Sequence, residues 1–137
     1  MSDCIFCKIA NGEIPSNTVF ENDNFRVILD ISPANEGHCL ILPKTHAANI
    51  FELSEELTGE AFKLAKATAE AINNNMEIDG INLLQNNGEA AGQTVFHFHI
   101  HVIPRKKNDG VVIKSEVVKL DDARFKEIAE IIGNKIK

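Results

Sequence analysis

Three histidines stand at every second position, His97, His99 and His101, within the stretch QTVFHFHIHVIPR from Gln93 to Arg105. Phe98, Ile100 and Val102 lie between and after them, and Ile103 continues the apolar run. Two residues is the period of a β-strand, whose successive side chains leave opposite faces. Read as a strand from Val95 to Ile103 that Pro104 closes, the segment presents three imidazoles on one face and an apolar surface on the other. Same-face neighbours are about 6.6–7 Å apart. Adjacent imidazoles can therefore close on one phosphate or one metal ion, whereas His97 and His101 are too far apart to share a small ligand unaided.

Three uses of such a face are open. The histidines can be incidental polar residues of a half-exposed strand. They can form a histidine-only metal site, since His-x-His on a strand holds zinc well. Or one imidazole can act as a nucleophile with its neighbours as acid, base or charge stabiliser. The preceding loop, Asn86 to Gln93 (NNGEAAGQ), followed by Thr94, supplies two glycines, side-chain amides and a hydroxyl. Beside the histidines this composition suits an anionic oxygen cluster such as a phosphate.

The remaining chain reads as one α+β domain. Thr18–Glu21 and Asn24–Asp30 form two strands joined by the turn Asn22-Asp23. Cys39–Leu42 is a buried strand that Pro43 ends. Ser54 caps a long amphipathic helix reaching about Asn75, with Leu57, Ala61, Leu64, Ala65, Thr68, Ala71 and Ile72 at helical spacing. Gly80–Gln85 is a fourth strand. Val111–Ile113 and Val117–Leu120 read as extended. Asp121 or Asp122 caps a last helix carrying Phe125, Ile128, Ala129 and Ile132, which Gly133 stops. Strands cluster at both ends of the long helix rather than alternating with helices, so the sheet is expected to have about five strands and to be mainly antiparallel. The expected domain spans 1–137, with a core at about 4–107 and a C-terminal extension at 108–137.

Composition narrows the function classes. The chain has 137 residues, 44% of them apolar, and a net charge of −6. The 14 basic residues form no long cluster, and Arg105-Lys106-Lys107 reads as a solvated turn rather than a nucleic-acid face. No run approaches the ~20 apolar residues of a membrane span, and the first fifteen residues lack the features of a secretory signal. Cys4-x-x-Cys7 favours a reducing, cytoplasmic setting, with either a metal or a redox role. Cys39, in the run HCLILP, reads as a buried small hydrophobe.

His97-Phe98-His99-Ile100-His101-Val102-Ile103 resembles the signature of the histidine triad family, in which histidines and apolar residues alternate. Cys4–Ile9 and Glu13-Ile14-Pro15 are similar to that family's N-terminal segment. Asp30–Pro33 and Gly37-His38 to His46 are similar to its central block, and Asn86 with Gly92-Gln93-Thr94 to its phosphate loop. The match covers most of the chain up to about Lys107 and is strongest toward bacterial-type, zinc-containing members of the Hint branch, the purine nucleoside phosphoramidases.

The resemblance implies a set of roles. His99 would attack the α-phosphorus and form a nucleotidyl-histidine that water cleaves. Its second ring nitrogen would be held by a backbone carbonyl beside the first histidine. His101 would bind a phosphate oxygen or assist the leaving group, and His38 would complete the site from another strand. Asn86, Gly92, Gln93 and Thr94 would hold the phosphate, with threonine where the family often has serine. Asp30 would bind the ribose hydroxyls. Ile5, Phe6, Ile9, Ile14, Ile28 and Leu40 would line a slot for the purine. Cys4, Cys7, His46 and His97 match the ligands of a structural Zn2+, so the three histidines would divide between metal and phosphate.

The expected activity is hydrolysis at the α-phosphate of purine nucleoside phosphoramidates or related adenylyl conjugates. The alternatives are a diadenosine polyphosphate hydrolase and a non-catalytic, zinc-bound nucleotide-binding protein. Phe98 and His101 speak against the branch that transfers nucleotidyl groups between sugar phosphates. Small family members are usually homodimers, which sets the expected partner as a second copy.

Overall fold

A five-stranded, wholly antiparallel sheet in the order β1-β2-β3-β5-β4 forms the centre of the molecule. The computed structural model describes residues 3–136; residues 1, 2 and 137 of the expected domain lie outside the described residues. The strands are β1 (Thr18–Glu21), β2 (Phe25–Leu29), β3 (Cys39–Pro43), β4 (Gly80–Leu84) and β5 (Ile100–Arg105). Among the described residues three α-helices accompany them, α1 (Ile5–Ala10), α2 (Glu55–Asn75) and α3 (Asp122–Gly133), with a single 3-10 turn at Glu89–Ala91.

Alternation along the central strands sorts the core into two layers. Val27, Cys39, Ile41, Ile100 and Val102 leave one face and pack with Ala61, Ala65 and Ile72 of α2. Ile28, Leu40 and Leu42 leave the other face and meet Ala10, Phe6 and Ile9 of α1. Both long elements carry the expected signals. Ser54 accepts a hydrogen bond from the Leu57 amide at the start of α2, and Asp121 accepts one from Arg124 at the start of α3. These side chains satisfy amides that the helix cannot pair itself.

Three differences from the sequence reading matter. The ladder of β5 begins only at Ile100, so His97 and His99 precede it on irregular chain. The alternation survives nonetheless: Phe98 is fully buried in the α2 layer, and the Phe98 amide bonds the Ala47 carbonyl instead of a strand neighbour. β5 also continues through Pro104, which pairs opposite Ile81. The Pro104 carbonyl receives a side-chain amide of Asn35, so its missing N–H faces a loop and not the β4 ladder. Third, α1 was not foreseen, and 111–120 contains no strand. Cys39 is buried as expected, its thiol donating to the Gly37 carbonyl at 3.2 Å.

Candidate active site

The α1 face of the sheet carries a cavity of about 520 Å3. Ile5, Phe6 and Ile9 from α1, Ile14 from the turn after it, Ile28 from β2 and Leu40 from β3 line it, all six of the apolar residues expected there. Asp30, Gly92, Thr94, His99 and His101 stand on the same wall. Phe6 sets its ring edge-on to His99, with centroids 5.0 Å apart at 90°.

Hydrogen bonds determine which nitrogen of each imidazole carries the proton. His99 Nδ1 lies 2.7 Å from the His97 carbonyl. A carbonyl only accepts, so Nδ1 holds the proton and Nε2 keeps its lone pair. The Ala34 amide donates to His38 Nδ1 at 3.0 Å, which puts the proton of neutral His38 on Nε2. That N–H faces His101 Nδ1 at 2.9 Å, so His101 in turn carries its proton on Nε2. Burial holds all three imidazoles below the usual histidine range, and His101, with the neighbouring His99 and His38 adding to the effect, is pushed down to about 4. All three are therefore neutral near pH 7.

His38 does not line the cavity; it stands behind His101, with Asp30 Oδ2 3.6 Å from its Nε2. Asn86 and Gln93 are also absent from the wall. Asn86 lies beneath Gly92, its Nδ2 3.6 Å from where a Cβ would sit. Gln93 is 2% exposed, and its amide is fully engaged inside the loop. It accepts from the Gly88 amide at 2.8 Å and donates to the Ala48 and Val95 carbonyls at 2.6 and 3.1 Å. The loop thus offers Gly92 and Thr94 to the cavity while Gln93 braces it from behind.

Cys4, Cys7, His46 and His97 converge beside the cavity, their ligand atoms all within 4.8 Å of one another. His97 Nε2 donates to the Pro43 carbonyl at 2.8 Å, so its Nδ1 lone pair points into this cluster. The two Nδ1 atoms are 3.3 Å apart, and three of the four sulfur–nitrogen separations, Cys4–His97, Cys7–His46 and Cys7–His97, are 3.2–3.4 Å. Tetrahedral coordination with usual bond lengths gives edges of about 3.3 Å for N···N and about 3.6 Å for S···N. The four residues therefore fit one four-coordinate ion. Burial and the neighbouring Cys4 push the Cys7 thiol up to about 11, so without an ion it stays protonated.

A family model described as "HIT domain" matches residues 11–108. The chain belongs to the HIT family. Adenosine 5'-monophosphoramidase hnt1 of Schizosaccharomyces pombe is 38% identical to it over 98% of both chains. A crystal structure of a HIT family protein from Bacillus anthracis superposes with a TM-score of 0.89 at 42% identity, covering 98% of each chain. A Zn-bound histidine triad family protein from Mycobacterium smegmatis superposes at 0.77 with 32% identity, over 98% of this chain and 99% of that one. The HIT α+β fold is thus shared with solved structures over 98% of the chain. No helix among the described residues is long and apolar enough to cross a membrane.

Two residues beside the HIT site carried no signal that was read. Asn35 and Asp109 interlock behind His38, and Arg105, expected in a solvated turn, points inward to Asp109 at 2.8 Å. The i,i+4 spacing of Arg105 and Asp109 was the available clue.

Proposed function

We propose that this protein is a nucleotide hydrolase that cleaves the phosphorus–nitrogen bond of purine nucleoside phosphoramidates through a nucleotidyl-His99 intermediate. One observation carries the reading: the Nε2 lone pair of a neutral, buried His99 in the wall of an apolar slot, with its opposite nitrogen held by the His97 carbonyl. A neutral imidazole held in one tautomer is a competent nucleophile.

The slot formed by Ile5, Phe6, Ile9, Ile14, Ile28 and Leu40 takes the base, and Asp30 at its rim accepts from the ribose hydroxyls. Gly92 and Thr94 hold the α-phosphate, and the Nε2–H of His101 bonds a non-bridging oxygen as charge develops there. His99 Nε2 forms the bond to phosphorus as the phosphorus–nitrogen bond breaks. The departing amine takes a proton from solvent through the Thr94 hydroxyl. The resulting imidazolium is stabilised by its Nδ1–H bond to the His97 carbonyl. Water then attacks phosphorus, expels neutral His99 and releases its proton. His38 holds the tautomer of His101, and Gln93 keeps Gly92 and Thr94 in place.

Cys4, Cys7, His46 and His97 are proposed to hold a structural zinc. The edge lengths of the cluster and the Zn-bound relative support that assignment. When bound, the ion supplies a crosslink between the α1 segment and the chain entering β5, and four protein ligands leave no position for a catalytic water. A homodimer also belongs to this reading. β4 is an edge strand with Leu83 exposed, and a groove of about 450 Å3 beside it has an apolar floor of Ala69, Ile78, Ile81 and Leu83 among the polar residues Lys66, Glu70, Asn73 and Asp79.

The test is release of adenosine monophosphate from adenosine 5'-phosphoramidate by the protein and by His99→Ala. Release by the first alone, with radiolabelled nucleotide trapped on acid-quenched protein, is expected. Hydrolysis of diadenosine polyphosphates in preference to the phosphoramidate would replace the substrate. Nucleotide binding without turnover of either would overturn the enzyme reading.

A further inference from the structure

Behind the site, the loop between β2 and β3 is fastened to the exit of β5 through two residues that do not line the cavity. Asn35 Nδ2 donates to the Pro104 carbonyl and to Asp109 Oδ2, both at 2.9 Å. Both partners are acceptors, so only the amide nitrogen can face them, and the orientation of Asn35 is determined. Asp109 is itself held hard. Its side chain is 7% exposed and receives Arg105 Nε at 2.8 Å and Arg105 Nη2 at 3.0 Å. The amides of Lys106 and Val111 donate to it at 3.0 Å each. The Arg105 guanidinium and these amides keep its carboxyl well below the usual carboxylate range, so near neutral pH it is ionised and only accepts. Arg105 Nη1 also donates to Asn82 of β4, at 2.7 Å, which ties the anchor to the sheet.

The fastened loop carries the one amide that decides a tautomer. Ala34, the residue before Asn35, donates its N–H to His38 Nδ1, and the His38 amide returns to the Asn35 carbonyl at 3.2 Å. Gly37 presses the same loop onto β5: at φ +90° a Cβ there would meet Pro104 and Met76 at 3.2 Å. Only glycine takes that backbone without strain. The chain of bonds runs without a gap from Asp109 to Asn35, along the backbone to Ala34, and on through His38 to His101.

We propose that Asn35 and Asp109 are positioning residues that hold the Ala34 amide against His38 Nδ1 and thereby keep the His101 proton on Nε2, the side that faces substrate. With the anchor lost, the Ala34 amide swings free and His38 can place its proton on Nδ1. Its bare Nε2 then faces His101 Nδ1, which must take up the proton itself, leaving His101 nothing to donate toward the phosphate. The inference rests on the phosphoramidase reading of the site, but the tautomers can be measured independently of it.

The variant Asn35→Asp keeps the shape and removes the donor. Its test is long-range proton–nitrogen correlation of the histidine rings in the zinc-loaded protein at about pH 8, above the ordinary histidine range, alongside kcat and KM for adenosine 5'-phosphoramidate. The expected result is Nε2–H for both His38 and His101 in the unchanged protein, and a mixture of tautomers in the variant. kcat should fall about tenfold or more, with KM changing less. If the variant does not fold, Asn35→Ala carries the same measurement without setting a second carboxylate against Asp109. A folded variant with unchanged tautomers overturns the inference whatever its kcat, and so does a shift of tautomer that leaves kcat intact. If the unchanged protein releases no nucleotide, the phosphoramidase reading fails instead, and the tautomers alone decide whether Asn35 positions His38.

Discussion

His97 serves two neighbours at once: its ring nitrogen Nδ1 faces Cys4, Cys7 and His46, while its backbone carbonyl takes the Nδ1 proton of His99 at 2.7 Å. The Cys2His2 cluster and the proposed nucleophile therefore meet in one residue, through atoms that mutation can separate.

His97→Ala removes the ring and keeps the carbonyl. The variant is expected to lose its bound zinc by elemental analysis and to melt at lower temperature. It should retain nucleotidyl chemistry, with kcat/KM down by less than about a hundredfold, because the carbonyl that holds His99 Nδ1 stays and no group at the reacting phosphorus is removed. His99→Ala should keep one zinc per chain and lose about ten-thousandfold or more. Equal losses in the two variants would contradict this division of labour.

Metal uptake should release protons, because burial and Cys4 hold the Cys7 thiol up near 11 before an ion binds. Affinity should then fall as pH falls. Titration calorimetry of zinc into chelator-stripped protein, run in two buffers of different ionisation enthalpy, reads the proton count directly. A buffer-independent heat would exclude a thiol as the source of a ligand.

Gln93→Glu preserves the acceptor for the Gly88 amide but sets an oxygen against the Ala48 and Val95 carbonyls. A buried mismatch of this kind costs about 2–4 kcal/mol. Denaturant unfolding should show that loss, and turnover should fall because Gly92 and Thr94 shift. Wild-type stability with selective loss of turnover would instead point to direct contact between Gln93 and the phosphate.

Acid should weaken the fold in a defined window. Burial, then the His99 and His38 charges, depress His101 from 6.5 to about 4. The unfolded chain therefore binds this proton first. Stability is complete above about pH 6.5 and declines as pH falls toward about 4, by up to roughly 3 kcal/mol, with no further loss from this group below that. Urea midpoints for the protein and His101→Gln, compared between pH 7.5 and 4.5 (about three units apart), should converge toward the acid end. Parallel midpoints would remove His101 as the cause.

Much of the architecture was legible because its signals are local. Ser54 caps the helix it was read to cap, Asp121 rather than Asp122 caps the last one, and the continuous apolar run Cys39–Leu42 is the buried strand β3, covered on both faces. Alternation overstated β5. His97 and His99 alternate as a strand would, yet the Phe98 amide pairs with Ala47 rather than with a neighbouring strand. Helix α1 went unread because its six residues lack a period long enough to recognise, and its N-cap is the sulfur of Cys4, not an oxygen side chain.

By itself the sequence determined the inventory: the alternating histidines, the Cys4-x-x-Cys7 pair, the glycine loop and the apolar residues at sheet and helix spacing. These are properties of residue type and interval, set by backbone geometry. Only the tertiary structure decided what each polar atom faces. It turned Gln93 away from the cavity, gave His97 to the cysteines, and set Asn35 between Pro104 and Asp109. Proton positions follow from which donor or acceptor each ring nitrogen meets: the Ala34 amide and the His97 carbonyl are near neighbours of His38 and His99 along the chain, but His38 for His101 and Pro43 for His97 are brought up from distant strands. Hydrogen bonding depends on direction and distance in space, and the interval between residues along the chain carries neither.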